Sequence, residues 1–167
     1  MGAMSALAFH RHPGLTAWLR SLATAACGVQ ATGVLVGRDS VIDISPMAPE
    51  PARQTLERLL QLWQQGMQSP LPLPPKTALV WQLGLADTGK ADRAARKQYE
   101  GDDQTRGDVE EICMARVFAD FEALSADGRF AALAQAIYQP LLDWQRDHVS
   151  ATLHPQVAID ASEGEGE

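Results

Sequence analysis

Apolar residues recur at helical spacing in three stretches of the chain. Leu15, Trp18, Leu19, Leu22 and Ala26 follow the i, i+3, i+4, i+7 rule, with Pro13-Gly14 at the entry and Gly28 just past the end, and predict a helix. Leu56, Leu59, Leu60, Trp63 and Met67 form a stripe opposite Arg53, Glu57, Arg58, Gln61 and Gln65, which predicts a second amphipathic helix ending near Gly66. Phe130, Leu133, Ala134, Ile137, Tyr138 and Leu141 predict a third from about Gly128 to Trp144, with Pro140 expected to kink it or end it early. Between the first two, Ala31 to Val36 and Ser40 to Ile44 are short β-branched runs separated by Gly37-Arg38-Asp39, the pattern of a β-hairpin.

Other segments carry weaker periodicity. Ser69 to Pro75 has proline at four of seven positions, which predicts an extended strap pinned to the core by its leucines. Lys76 to Leu85 is an apolar run that fits helix or strand, with helix preferred, and Asp92 to Tyr99 is helical and polar. Glu100 to Gly107 reads as a loop. Asp108 then opens a helix whose first turn carries Glu110 and Glu111, where the macrodipole favours carboxylates. Val109, Ile112, Cys113, Phe118 and Phe121 are its expected buried positions, and the acidic first turn is expected to be solvated.

Composition narrows the function classes. At 167 residues with 46% hydrophobic content, one domain with its own core is expected, without metal or disulfide staples. A net charge of −7 argues against free-standing binding to a phosphate backbone. Cys27 and Cys113 have no metal-ligand or disulfide spacing, which fits a reducing, cytoplasmic setting. The uncharged stretch between Arg20 and Arg38 is too short and too rich in glycine and hydroxyl residues to span a membrane. Residues 1–9 read as an N-terminal arm, with Met1-Gly-Ala-Met4 as an addition before a second methionine, residues 10–154 as the domain, and residues 155–167 as an acidic, disordered tail.

Motifs of common chemistries are missing: there is no P-loop, GxGxxG, HExxH or GxSxG. His10 and His12 lie far in sequence from His148 and His154, so no metal site is expected. The acidic run Asp102, Asp103, Asp108, Glu110 and Glu111 lacks the spacing of a calcium loop and is broken by Arg106. Cys113, placed on an apolar face, is not expected to be a nucleophile. Lys90, Arg93, Arg96 and Lys97 put four of the 14 basic residues into eight positions. Such a cluster is either a solvated helix face or a contact for DNA phosphates or an acidic protein surface.

One ordered series of motifs is more specific. Trp63-Gln-Gln-Gly66-Met67-Gln-Ser-Pro70-Leu71-Pro72-Leu73, then Trp81, Lys90 to Arg96, Tyr99-Glu100-Gly101 and Arg106-Gly107-Asp108 resembles the C-terminal domain of RecC, the gamma subunit of bacterial exodeoxyribonuclease V. The Leu15-Thr-Ala-Trp18-Leu19 helix and its Ala-Cys-Gly end are similar as well, so the likeness spans about residues 10 to 144. The resemblance implies an α+β, restriction-endonuclease-like core of the PD-(D/E)XK type, helix-rich with a short hairpin, that has lost its catalytic residues. Active versions place an acid on one strand and an acid-x-Lys on the next to hold Mg²⁺. Here the hairpin offers Asp43-Ile44-Ser45, with serine where lysine would stand, and the lysines of the chain are Lys76, Lys90 and Lys97. The implied role is non-catalytic and without cofactor: docking RecB-like and RecD-like subunits and shaping a DNA path in double-strand-break repair, away from any membrane. Lys90, Arg93, Arg96, Lys97 and Arg106 are the candidate DNA or partner contacts. The alternative is an active Mg²⁺-dependent nuclease with Asp39 or Asp43 as ligand, and a regulatory domain unrelated to DNA is a third class.

Overall fold

The computed structural model describes residues 12–37, 40–85 and 88–153. Helix α1 (His12–Ala26) leads into an antiparallel hairpin of β1 (Gly33–Val36) and β2 (Ser40–Ile44), followed by α2 (Pro49–Gln68). Helices α3 (Pro75–Leu83) and α4 (Thr88–Glu100) come next, then two-residue strands β3 (Gly101–Asp102) and β4 (Thr105–Arg106). A 3₁₀ turn (Asp108–Glu110), α5 (Ile112–Val117) and α6 (Phe121–Ser125) precede the long α7 (Arg129–His148) and strand β5 (Val149–Leu153). The architecture is α+β and helix-dominant, with two small antiparallel sheets ordered β1-β2-β5 and β3-β4.

Helix α7 is the spine. Its Phe130, Ala134, Tyr138, Leu141 and Trp144 are buried against Trp18 and Leu22 of α1, Ala78 and Leu79 of α3, and Phe121 and Leu124 of α6 in one continuous core. The helix runs through Pro140 to His148, further than the proline suggested. A proline inside a helix removes one backbone bond and costs about 3 kcal/mol, and full burial of Leu141 and Trp144 beyond it is large enough to offset that. Strand β5 follows at once and pairs antiparallel with β2, from Ile44↔Val149 to Ser40↔Leu153. No strand was expected there, so the hairpin becomes the middle and one edge of a three-stranded sheet.

The run 76–85 is helical, as preferred, and its packing is tight. A Cβ on Gly84 would stand 2.9 Å from Ala91 Cα, so the glycine lets α3 and α4 approach each other. The proline strap inverts its expected anchoring: Pro72 and Pro74 are fully buried while Leu71 and Leu73 are half-buried. Rigid rings with no N–H to satisfy are the cheaper groups to bury in an extended segment.

Two expected burial patterns are corrected. On α2, which extends through Gly66 to Gln68, only Ala52 is buried, and Leu60, Trp63 and Met67 are 52%, 62% and 72% exposed. The helix packs on α1 through its N-terminal part and its apolar stripe projects past the core. The helix expected from Asp108 is instead three short pieces. Asp120 breaks it by capping α6, its carboxylate accepting from the Ala123 N–H at 2.7 Å, and Phe118 O accepts from the Tyr99 hydroxyl. An earlier break at Glu111, extended at ψ 117° between the 3₁₀ turn and α5, resets the helical phase, so Ile112 is 74% exposed and Cys113 is exposed rather than buried.

Candidate functional site

The basic cluster sits on α4, whose Ala91, Ala95 and Tyr99 face the core at a four-residue spacing. That registry turns Lys90, Arg93, Arg96 and Lys97 outward. Most of their charge is met locally. Arg96 Nη1 donates to Glu100 Oε1 at 3.2 Å while its guanidinium lies 5.3 Å from the centre of the Phe121 ring. Lys97 Nζ lies 2.8 Å from Asp102 Oδ2. That ammonium, with the Gln104 and Thr105 amides, holds the Asp102 carboxyl down at about 2, and the carboxylate in turn raises Lys97. Arg106 pairs with Glu110 at 2.7 Å, which lowers the Glu110 carboxyl. Lys90 also has a partner. Arg93 makes no ion pair among the described residues, and it borders a cleft floored by Trp81, Phe121 and Phe130. The five candidates therefore lie on α4 and the adjoining turn, with Arg96, Lys97 and Arg106 in separate ion pairs and Arg93 the open cation.

The Tyr99-Glu100-Gly101 and Arg106-Gly107-Asp108 motifs form a single scaffold behind this surface. Gly101 has φ of +78°, and a Cβ on Gly107 would collide with the Tyr99 carbonyl. The close backbone crossing delivers Asp108 into the core, where it is buried rather than solvated. Its Oδ2 accepts from the Thr77 N–H at 3.1 Å and the Thr77 hydroxyl at 3.0 Å, and Lys76 Nζ stands 3.6 Å from Oδ1. Asp108 thus caps the N-terminus of α3 from another part of the chain, since Pro74 and Pro75 offer no side-chain cap of their own. The Tyr138 hydroxyl donates to Pro75 O at 3.0 Å and fixes the same turn to α7.

The hairpin carries the remaining candidate chemistry. Asp43 is exposed on β2, with Val34 of β1 and Ser150 of β5 as its lateral partners; it borders a cleft of about 550 Å³ that Ser45, Arg146, Asp147 and His148 also line, where Arg146 is already paired with Asp143 and Asp147. Ser45 Oγ lies 3.2 Å from His148 Nδ1, and the Ser45 N–H donates to His148 O at 2.9 Å, a link that ends the sheet. Among the described residues no group of three or more His, Cys, Asp or Glu side chains could hold a metal ion. No helix among them is long and apolar enough to cross a membrane. Asp39, His10 and His154 lie outside the described residues.

Sequence reasoning missed β5 and the role of Asp108. Alternating Val149-Ser-Ala-Thr-Leu153 was a readable strand signal. The cap was not readable, because its partner lies 31 residues away.

No curated protein matches the chain. The motifs from Lys90 onward lie beyond the segment for which a family match is found. Over residues 4–85, just under half of its length, the chain matches the family model of the RecC C-terminal domain.

Proposed function

We propose that this chain is a non-catalytic protein-interaction and DNA-path domain of a RecBCD-type helicase-nuclease, built on a degenerate nuclease-like core. One observation carries the reading. A RecC-type segment contains the hairpin where metal-assisted hydrolysis would be housed, and its Asp43 stands between Val34 and Ser150 with no lysine or second carboxylate in register. Hydrolysis of that type needs converging carboxylates to hold Mg²⁺ and a group to orient water. The exposed Leu60, Trp63 and Met67 on α2 support a role in assembly, since contiguous apolar surface marks contact with other chains.

In this reading the partners are RecB-like and RecD-like subunits, and DNA is met within the complex. With Arg96, Lys97 and Arg106 already paired, and a net charge of −7, the domain has little free cationic surface for phosphates. Of the five candidates on α4 and the adjoining turn, Arg93 is the open cation for a DNA or acidic contact.

The test is a pull-down of the purified chain against a RecD-like subunit, beside calorimetric titration with Mg²⁺ and Mn²⁺ and a linear-DNA cleavage assay. Subunit capture stronger than DNA binding, with no metal-dependent cleavage, is expected. Mg²⁺-dependent cleavage abolished by Asp43→Ala would establish the nuclease alternative. Salt-sensitive DNA affinity equal to or above the subunit affinity would also overturn the proposal.

A further inference from the structure

Strand β1 is an edge of the three-stranded sheet, and among the described residues it carries none of the usual protections. Gly33-Val-Leu-Val36 has no charge and no proline, and Val34 and Val36 are 59% and 76% exposed. Its backbone polarity follows from the hairpin closure. The Gly37 N–H donates to Ser40 O at 2.8 Å, so by antiparallel alternation Leu35 and Gly33 turn their N–H and C=O groups to β2. The N–H and C=O groups of Val34 and Val36 point away, along the free edge.

That edge borders a trough of about 600 Å³ whose far wall is α1, a size within the range of ordinary ligand sites. Ala17, Leu35 and Ile44 give it an apolar floor, while Ser21 and Thr24 add hydroxyls. Arg20 is the charged side chain lining it, and it makes no ion pair among the described residues. Arg20 is the one charged residue among those lining the trough, while the exposed Asp43, in register with Val34, lies on the opposite face of the sheet from Ile44.

We propose that the trough between α1 and β1 accepts an extended, acidic segment of a partner protein, which adds as a fourth strand on Val34 and Val36 and places a carboxylate against Arg20. Main-chain bonding to an open edge supplies affinity, and the pockets for alternate side chains supply selection. Such a segment alternates apolar and acidic residues. The inference rests on the reading of the domain as a protein-binding module and names the surface and the partner chemistry.

The test uses the full chain, ¹⁵N-labelled, with two blocked pentapeptides, Val-Glu-Val-Glu-Val and Val-Lys-Val-Lys-Val. The acidic peptide is expected to slow hydrogen exchange at the Val34 and Val36 amides at least tenfold, with the already bonded Leu35 unaffected. Arg20→Glu is expected to reverse the peptide preference at least tenfold. Val34→Pro, which removes an outward N–H at an edge that tolerates proline, is expected to abolish protection at Val36 while core amides of α7 exchange as before. Absence of protection at millimolar peptide, or equal protection by both peptides, would overturn the inference. So would protection that grows with protein concentration without peptide, which would assign the edge to a second copy of the chain. If the peptides fail while the subunit pull-down succeeds, strand addition falls and the assembly role stands; failure of both removes both.

Discussion

Asp108→Ala is the perturbation that best separates a structural from a decorative carboxylate in this chain. Asp108 is buried, and it accepts two hydrogen bonds from Thr77, which is itself fully buried. Removing the carboxylate leaves an amide and a hydroxyl without partners at the N-terminus of α3. Losing a helix cap costs about 1 kcal/mol, and a buried hydrogen bond to a charged group contributes about 1.5–3 kcal/mol. A loss of about 3 kcal/mol is therefore expected for Asp108→Ala. Asp108→Asn, which keeps an acceptor, should lose about half that, and Thr77→Val, which removes only the hydroxyl, about 1 kcal/mol. Lys76→Ala should cost less than about 0.5 kcal/mol, because the lysine is 75% exposed and its ion pair is long at 3.6 Å. Urea unfolding followed by tryptophan fluorescence and far-UV circular dichroism gives all four values. A loss below about 1 kcal/mol for Asp108→Ala, or a larger effect from Lys76→Ala, would refute the cap and return Asp108 to the solvated turn expected from its sequence.

Three further outcomes are expected. Burial, with smaller contributions from nearby carboxylates, pushes the Tyr99 and Tyr138 phenols up to about 12. Absorbance at 295 nm should therefore show both ionising well above the unfolded value near 10; the stability they contribute is complete below pH 10 and is lost as pH rises through about 12. Asp102, held at about 2 by Lys97, should show a carboxyl titration near that value by NMR; its contribution is present above the unfolded value of 3.8 and lost as pH falls toward 2, and Lys97→Gln should move the midpoint up. Trp63→Ser should change unfolding free energy by less than about 0.5 kcal/mol, and acrylamide should quench Trp63 readily, because this ring is 62% exposed; a loss above about 2 kcal/mol would mean that the α2 stripe is packed within the chain.

The sequence by itself determined the segments whose signal is local. The period of α1, α2 and α7, the β-branched runs of the β1–β2 hairpin and the extended proline strap all arise from neighbours within a few positions, and the structure keeps each of them. The serine at position 45 and the scarcity of lysine were legible for the same reason. Tertiary structure decided which faces are covered. An apolar stripe says that a face prefers burial, not that a partner is present, and on α2 the core ends before Leu60, Trp63 and Met67 are reached. It also decided where α7 ends, since burial of Leu141 and Trp144 outweighs the local cost of Pro140. The placement of β5 on β2, the capping of α3 by Asp108 and the pairing of Lys97 with Asp102 depend on which groups come within hydrogen-bonding reach. For β5 and Asp108 that reach spans tens of residues or more, because backbone and carboxylate groups are satisfied by proximity in space, and no periodicity encodes it.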